Sequence, residues 1–255
     1  MAEKIAQIKS AFEFVAIEDR PALIEKYQKD IRQGVQKLIE KYKKEQIALE
    51  AEYARTEGMK EFEYKYKDYE YICGIDEAGR GPLAGPVVAG AVILPKDETI
   101  LYLNDSKQLS EKKREELYDV IIDKAVAVGI GIVSPGDIDK WNILQATYEA
   151  MRIAIGKLEV KPDLLLNDAV TIPGVDIKQV GIIKGDARSI SIAAASIVAK
   201  VTRDRMMVEY DKIYPEYNFA KNKGYGAKVH IDVLKKVGPS PIHRTTFLKN
   251  ILSGE

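Results

Sequence analysis

Residues 71–94 read YICGIDEAGRGPLAGPVVAGAVIL, and this stretch decides how the chain is built. An apolar run leads into two adjacent carboxylates, Asp76 and Glu77, and a turn rich in glycine and proline follows at once. A second apolar run covers residues 87–94 and stops before a proline. Two short apolar runs joined by a short turn predict an antiparallel hairpin of two buried strands.

The chain after this hairpin alternates between helical patterns and short apolar runs. Ser110 is a predicted helix N-cap, and Asp137 or Asp139 is predicted to open a later helix. Strands are predicted at residues 71–75, 87–94, 126–133, 164–166 and 176–183. Helices are predicted at residues 111–125, from Asp137 or Asp139 through residue 158, and at residues 189–210. This order predicts an α/β fold with a mixed five-stranded sheet flanked by helices.

Residues 1–68 predict a small, all-helical N-terminal extension, and residues 69–255 predict the α/β domain with helical segments at its end. Within the extension, Asp30 is a predicted N-cap with Gln33 completing a capping box. Apolar residues then recur at helical spacing, which favours an antiparallel helical pair with an apolar seam. Two roles fit such an extension: a stabilising or tethering appendage, or an arm that grips a substrate or a partner.

The composition of the 255 residues, with 46% apolar and 31% charged side chains, is typical of a soluble globular protein. No apolar run approaches the roughly 18 residues that a membrane-spanning helix needs, so we expect no membrane contact and a cytoplasmic location. One cysteine and two histidines make a zinc site a poor fit, and Cys73 reads as a small core residue. The net charge is zero, but residues 185–255 carry 12 basic and 7 acidic residues, a surplus of five positive charges. This surplus is compatible with a polyanion-binding face, and the alternative is an ordinary solvated surface.

Acidic residues end three of the predicted strands: Asp76 with Glu77, then Asp168, then Asp186. We refer to these four side chains as the carboxylate set. Adjacent strand residues point to opposite faces, so the first two can share a site only if the strand ends or distorts there. Unpaired carboxylates in one cleft repel one another, and divalent cations with oxygen ligands, such as Mg²⁺, remove that repulsion. Two such ions are a general device for phosphoryl transfer, although each acid alone also fits a turn or a helix cap.

Two basic stretches follow the carboxylate set. In the first, DARSISIAAASIVAK, small residues form a bare helix face suited to close packing on a sheet, and Lys200, Arg203 and Arg205 add positive charge after it. In the second, KNKGYGAKVH, Tyr225 lies between two glycines in a basic loop. A tyrosine in that position suits stacking on a sugar or a base, and the alternative is an ordinary surface tyrosine in a turn.

These stretches together resemble ribonuclease HII, the bacterial type 2 ribonuclease H. The resemblance covers residues 71–247 and rests on GIDEAGRGPLAGPVVAGAVIL, LNDSKQLSEKKRE, LLLNDAV, IIKGDARSISIAAASIVAKVTRDRMM and YPEYNFAKNKGYGAKVHIDVLKKVGPSPIHRTTF. It implies a ribonuclease H-like fold. The helical extension resembles that of low-GC Gram-positive members of the family, and its removal, residues 1–65, is expected to leave the chemistry competent.

The resemblance also implies an activity: hydrolysis of the RNA strand in RNA–DNA hybrids, and cleavage 5′ to single ribonucleotides in duplex DNA, leaving a 3′-hydroxyl and a 5′-phosphate. It implies that the carboxylate set binds two Mg²⁺ or Mn²⁺ ions. The backbone of the motif Gly79-Arg80-Gly81 would contact the ribose 2′-hydroxyl, the group that distinguishes RNA from DNA. Tyr225 would pack on the neighbouring deoxyribose, and the remaining substrate contacts would come from Lys107, Lys200 and His230.

Two other classes of protein fit parts of the same pattern. Another two-metal nuclease of this fold, such as a junction resolvase or an integrase, also gathers carboxylates on a sheet but needs no 2′-hydroxyl contact. A non-catalytic nucleic-acid-binding module would not need four convergent acids, which repel phosphates unless metal is bound. We expect the protein to act as a monomer on RNA–DNA hybrids and ribonucleotide-containing duplex DNA.

Overall fold

A computed structural model describes residues 3–252 of the protein, and it divides the chain into two compact units, residues 1–57 and 58–255. The first two residues of the predicted extension and residues 253–255 of the predicted domain lie outside the described part.

The first unit is helical, as predicted, but it holds three α-helices where a helical pair was expected. Its core contains the stacked rings of Phe12 and Tyr42, whose centroids lie 4.4 Å apart. The predicted capping box is wrong, because the third helix begins at Gln33 and Asp30 instead binds the backbone and the guanidinium of Arg32. The helices are α1 (Ile5–Phe14), α2 (Arg20–Tyr27) and α3 (Gln33–Gly58).

The second unit opens with a short helix, α4 (Glu61–Lys65), and is built on a mixed five-stranded sheet, as predicted. Its strands lie in the order β3-β2-β1-β4-β5. The first two form the predicted antiparallel hairpin, β3 pairs antiparallel to β2, and β4 and β5 run parallel to β1. The strands are β1 (Ile72–Ala78), β2 (Val87–Ile93), β3 (Ala127–Val133), β4 (Leu164–Asp168) and β5 (Lys178–Ile182).

Helices bury both faces of this sheet. The buried residues of α7 pack with Cys73 and Ile75 on one face, while the small residues of α8 pack with Val92 on the other. Cys73 is therefore a core residue, as predicted. The bare alanine face also packs closely as predicted, because a Cβ at Gly90 would lie only 2.5 Å from the carbonyl oxygen of Ala195. The helices of this layer are α5 (Glu111–Lys124), α6 (Pro135–Trp141), α7 (Ile143–Gly156) and α8 (Ile190–Ile213).

Helix caps explain where the predicted boundaries were right and wrong. Ser110 caps α5 as predicted, accepting a hydrogen bond from the Lys113 amide at 3.2 Å. The helix expected to open at Asp137 or Asp139 begins earlier, because Ser134 caps α6. Asn142, with a left-handed φ of 71°, then ends α6 and caps a separate helix, α7.

Short helices complete the second unit: α9 (Phe219–Asn222), α10 (Lys228–Val237) and α11 (Lys249–Leu252). Within residues 3–252, no helix has the length and the apolar character needed to cross a bilayer.

Candidate active site

Asp76 and Glu77 lie in β1 just beyond the last residue that pairs with the neighbouring strand β4. The strand does not end before them, as the sequence suggested, but continues to Ala78 in register with β2. Its parallel pairing with β4 stops at Ile75 opposite Asn167. Because β1 projects past β4, both carboxylates border the same open edge of the sheet without any distortion of the strand.

Asp168 and Asp186 approach this edge from the next connection. Asp168 is the last residue of β4, and its carboxylate accepts a 2.8 Å hydrogen bond from the Gly185 amide. Asp186 lies in the 3₁₀ turn Gly185–Ala187, which a left-handed Lys184 (φ 56°) introduces. The hydrogen bond therefore ties the turn that carries Asp186 to the end of β4.

The carboxylates raise one another's pKa values. Burial raises the pKa of Asp76 well above its usual value, and the charges of Glu77 and Asp168 raise it further. Burial also raises the pKa of Glu77, against the lowering effect of Arg80. The pKa of Asp186 is raised by burial and then by the charges of Asp105 and Asp168. Asp168 is thus close enough to repel each of the other three acids, and Asp76 and Glu77 are close enough to repel each other.

A basic side chain partly balances this negative field. Burial alone would lower the pKa of Lys107, but the charges of Asp105, Asp76 and Asp186 raise it overall. Lys107 itself is exposed at the start of the segment that leads into α5. It can therefore contact a phosphate that approaches the carboxylates.

The chemistry of the carboxylate set fits a hard divalent cation, since such ions prefer carboxylate oxygens. Among residues 3–252, however, no group of three or more His, Cys, Asp or Glu side chains is arranged to hold an ion as it stands. Two members are engaged elsewhere: Glu77 pairs with Arg80 at 3.1 Å, and Asp168 accepts from Gly185. The Arg80 contact uses only Oε1 of Glu77, so the second oxygen of that carboxylate remains available to an ion.

A cleft of about 540 Å³ brings most of the predicted site residues together. Its wall includes Glu77, the Gly79-Arg80-Gly81 motif, Lys107, Lys200 and Tyr225. Asp76, Asp168, Asp186 and His230 are absent from this wall. The cleft therefore joins one end of the carboxylate set to the glycine-rich turn and the loop tyrosine.

Two buried arginines hold the glycine-rich turn, which we call the 79–86 turn. Arg203, with no exposed surface, donates to the carbonyl oxygens of Pro86 at 2.9 Å, Ala84 at 3.0 Å and Lys223 at 2.9 Å. It thereby connects the turn to the loop that carries Tyr225. A side chain at Gly79, where φ is +92°, would overlap the Arg203 guanidinium.

Arg244 holds the same turn from its other end. It has no exposed surface and donates to the carbonyl oxygens of Gly79, Arg80 at 2.9 Å and Gly85 at 2.8 Å. Burial, together with the charge of Arg203, lowers the pKa of Arg244 to about 9. Because the carbonyls of the turn bind these arginines, the backbone of the motif is fixed before any substrate arrives.

Sequence reasoning missed this pair. Arg203 was counted only as positive charge and its burial was not predicted, and Arg244 was not singled out. A signal for Arg203 exists, since it lies four residues after Ala199 and four before Met207, on one buried face of α8. Arg205 does lie at the surface, where it pairs with Glu115.

Tyr225 and His230 occupy opposite sides of one loop. Tyr225 is 45% exposed and lines the cleft, and a Cβ added at Gly81 would lie 3.9 Å from its ring. His230 has no exposed surface, and its ring nitrogens contact the Tyr225 carbonyl at 2.8 Å and His243 at 2.9 Å. The histidine therefore supports the tyrosine loop from behind.

Solved structures place this fold among the ribonucleases H. Ribonuclease H2 from Pyrococcus horikoshii aligns with a TM-score of 0.61 and 28% identity, over 72% of this chain and 98% of its own. The Bst-RNase HIII complex with Mn²⁺ aligns with a TM-score of 0.54 and 17% identity, over 72% and 69% of the two chains, and shows the fold alone. The predicted ribonuclease H-like fold is confirmed.

Sequence comparison narrows the class to one family. The ribonuclease HII family matches residues 73–250, and the ribonuclease HII N-terminal domain matches residues 4–67. The ribonuclease HII of Lachnoclostridium phytofermentans is 64% identical over 98% of both chains, and that of Clostridioides difficile is 52% identical over 98% of this chain and 99% of its own. The chain belongs to the ribonuclease HII family, as the sequence predicted.

The family defines the general activity. The protein is an enzyme of the ribonuclease H type, a metal-dependent endonuclease that acts on the RNA of RNA–DNA hybrids.

Proposed function

We propose that the protein also cuts 5′ to single ribonucleotides embedded in duplex DNA, leaving a 3′-hydroxyl and a 5′-phosphate, by a two-metal mechanism. Such a cut would begin the removal of a misincorporated ribonucleotide. One observation carries this proposal: Glu77 of the carboxylate set, the Gly79-Arg80-Gly81 motif and Tyr225 line a single cleft. The phosphodiester that is cut and the ribose that is recognised would then be adjacent in the bound substrate.

In this proposal the carboxylate set, Asp76, Glu77, Asp168 and Asp186, holds two Mg²⁺ or Mn²⁺ ions. When bound, such ions prepare a water for attack and stabilise the leaving oxygen. The chain's own residues prepare the site for them. Burial holds Asp76 in place, and the hydrogen bond from Gly185 fixes the carboxylate of Asp168. Burial and neighbouring carboxylates raise the pKa values of Asp76, Glu77 and Asp186, and bound cations would act against this by favouring the ionised forms.

Substrate recognition is assigned to the backbone of Gly79-Arg80-Gly81 and to Tyr225. The backbone of the motif would contact the 2′-hydroxyl, which requires bare and rigid main chain. Tyr225, exposed beside Gly81, would pack on the next deoxyribose. A 2′-hydroxyl at that second sugar would crowd the ring, so the pair favours an RNA–DNA junction.

Charged contacts surround these two recognition groups. Lys107 is assigned to a phosphate, because it is exposed at the cleft wall. Lys200 also lines the cleft, although its ammonium pairs with Asp204 at 2.7 Å. We assign it a weaker phosphate contact. His230 acts on the substrate only through the Tyr225 loop, since the ring is buried behind it.

The remaining features of the proposal concern the protein as a whole. We propose that it works as a monomer in the cytoplasm, and that its functional division falls between residues 68 and 69. The catalytic domain would then be residues 69–255, with a helical extension before it.

The test is to incubate the protein and Mg²⁺ with a DNA duplex that contains one ribonucleotide, and to map the cut. We expect cleavage 5′ to the ribose, and no cleavage of the matched all-DNA duplex. Cleavage of the all-DNA duplex would instead select a resolvase-type or integrase-type nuclease. Binding without any cleavage would select a non-catalytic module.

A further inference from the structure

Glu63 of α4 binds the first turn of α8. Its Oε1 accepts hydrogen bonds from the Ser189 hydroxyl at 2.6 Å and from the Ser191 amide at 3.1 Å. The Ser189 oxygen in turn accepts from the Ile192 amide at 3.2 Å as the N-cap of α8. The first amides of a helix have no partner inside it, and a carboxylate is favoured there by the helix dipole. Glu63 therefore completes the cap of this 24-residue helix from outside it.

Neighbours of Glu63 strengthen the same contact. The carbonyl oxygen of Met59 accepts from the Ile190 amide at 3.2 Å, so two amides of the first turn bind residues 59–63. Arg188, just before the turn, pairs with Glu61 at 3.4 Å, and its guanidinium lies 4.9 Å from the centre of the Phe62 ring. We call residues 59–63 the α8-capping segment.

The first turn of α8 lies between two members of the carboxylate set. On one side, Ser189 donates its amide to the Gly185 carbonyl at 2.8 Å and so closes the loop around Asp186. On the other side, Gly74, two residues before Asp76, packs so closely on this turn that a Cβ would overlap its backbone. A shift of the turn would therefore change the separation between Asp186 and Asp76.

We propose that Glu63 is a positioning residue of the active site. By holding the first turn of α8, it sets the place of Asp186 relative to the rest of the carboxylate set. This inference rests on the proposed function, because that function gives Asp186 its role. It also means that the α8-capping segment, which falls within the N-terminal family match at residues 4–67, serves the catalytic unit.

The test uses the full chain with three variants, Glu63→Ala, Glu63→Asp and Glu63→Gln, and the control Glu70→Ala. Glu70 pairs with Lys96 and is 68% exposed, so its loss should change nothing. Two readouts are followed: amide hydrogen exchange of the peptide covering residues 185–192 without metal, and kcat and KM on the single-ribonucleotide duplex with Mg²⁺. Melting temperatures check that the variants remain folded.

We expect E63A to exchange faster within residues 185–192 and to lose about 10- to 100-fold in kcat, since small misplacements of catalytic groups cost that much. KM should stay within about twofold, because the substrate contacts are untouched. E63D is expected to show the same changes in smaller degree, because its shorter side chain cannot reach both donors. E63Q should keep the exchange rates and most of kcat, since its amide oxygen can accept both hydrogen bonds.

Wild-type exchange and kcat in E63A would overturn the proposal. If E63A does not fold, E63D is used as the test variant instead, and wild-type exchange and kcat in E63D would also overturn the proposal. A loss in E63Q equal to that in E63A, with unchanged exchange, would also count against it. An inactive wild-type protein would overturn the proposed function instead, and the exchange data would still show whether Glu63 holds the loop.

Discussion

The 79–86 turn and the carboxylate set meet at one cleft, through Gly79-Arg80-Gly81 and Glu77, in opposite electrostatic states. In the turn, two buried arginines bind backbone carbonyls at both ends, and the positive charges meet their acceptors inside the protein. In the carboxylate set, burial and mutual repulsion raise the pKa values of three acids, and only Glu77 is paired with an arginine.

This difference shows how recognition and chemistry can share one cleft. A backbone that must distinguish a hydroxyl from a hydrogen has to be fixed in advance. A site that takes up divalent cations has to keep negative charge unsatisfied until they bind. We therefore expect changes in the two regions to be separable, with one set affecting cleavage and the other affecting substrate choice.

The largest effect is expected from Asp76→Asn or Asp186→Asn. Each change removes one carboxylate from the proposed metal site, and the several kcal/mol of charge stabilisation lost correspond to a decrease in cleavage of about 1,000-fold or more. Hybrid binding, measured by fluorescence anisotropy, should persist. Asp119→Asn serves as the control, because that side chain is 78% exposed. Full activity of either variant with Mn²⁺ would contradict the two-metal assignment.

A smaller loss is expected from Arg244→Lys. Lysine keeps the buried charge but cannot bind the carbonyls of Gly79, Arg80 and Gly85 together. The turn would loosen, and kcat/KM on the single-ribonucleotide duplex should fall about 10- to 100-fold. The fall on an all-RNA strand should be smaller, since successive riboses offer more than one register. Arg205→Lys at the exposed pair with Glu115 is the matched control, and equal losses in both variants would remove the positioning role.

Two truncations separate the helical unit from the α8-capping segment. Removal of residues 1–57 takes away the first compact unit alone and should leave kcat within about threefold of the full chain, because the catalytic contacts remain. Removal of residues 1–65 also deletes Met59 and Glu63, and we now expect a loss of at least about tenfold rather than competent chemistry. The same kcat in both truncated proteins, each shown to be folded, would argue against this division.

Tyr225→Ala should affect one substrate more than the other. Stacking by an aromatic side chain contributes about 1–3 kcal/mol, so cutting at a lone ribonucleotide should weaken by roughly tenfold. Cutting within an all-RNA strand should weaken less. Tyr225→Phe keeps the ring and should behave as the wild type. A uniform loss on both substrates would remove the junction role of Tyr225.

The smallest effects concern pH and stability. Burial, and then the charge of His230, lowers the pKa of His243 to about 4. Neutral His243 therefore stabilises the fold at pH values above the ordinary histidine pKa of 6.5, and this stabilisation is lost as the pH falls toward 4. The raised pKa values of Asp76 and Asp186 give stability the opposite dependence on pH. The protonated carboxyls favour the folded state at low pH, and this contribution to stability is lost as the pH rises above the ordinary aspartate pKa of 3.8.

Melting curves in EDTA can separate these two contributions. Asp76→Asn should raise the melting temperature by a few degrees at pH 8 and by less at pH 5. His243→Gln should make the melting temperature less sensitive between pH 7 and pH 5. A larger rise for Asp76→Asn at pH 5 than at pH 8 would contradict the raised pKa of Asp76. A melting temperature that is more sensitive to pH in His243→Gln than in the wild type would contradict the lowered pKa of His243.

The sheet could be predicted because it follows from local pattern: apolar runs indicated the five strands. Acids after these runs indicated a candidate site, and their role as metal ligands stays a prediction. The reason for the convergence of Asp76 and Glu77 could not be predicted, because it depends on where β4 stops beside β1, which is a matter of register between distant segments.

The supports behind the cleft were beyond sequence reasoning for the same reason. Arg244 lies 165 residues from Gly79, and Glu63 lies 126 residues from Ser189, so no local spacing links them. His230 was expected at the substrate because it follows the tyrosine loop in a basic stretch. Its burial depends on the packing of Tyr217 and Phe219 around the ring, which the sequence did not reveal.

The central claim is that the 79–86 turn recognises ribose without help from the metal ions. The most direct measurement is the ratio of dissociation constants for the all-DNA and single-ribonucleotide duplexes, determined with Asp76→Asn protein in EDTA and again in Mg²⁺. We predict tighter binding of the ribonucleotide duplex in both conditions, with the same ratio. Equal affinity for the two duplexes in EDTA, with a preference only when Mg²⁺ is added, would contradict the account.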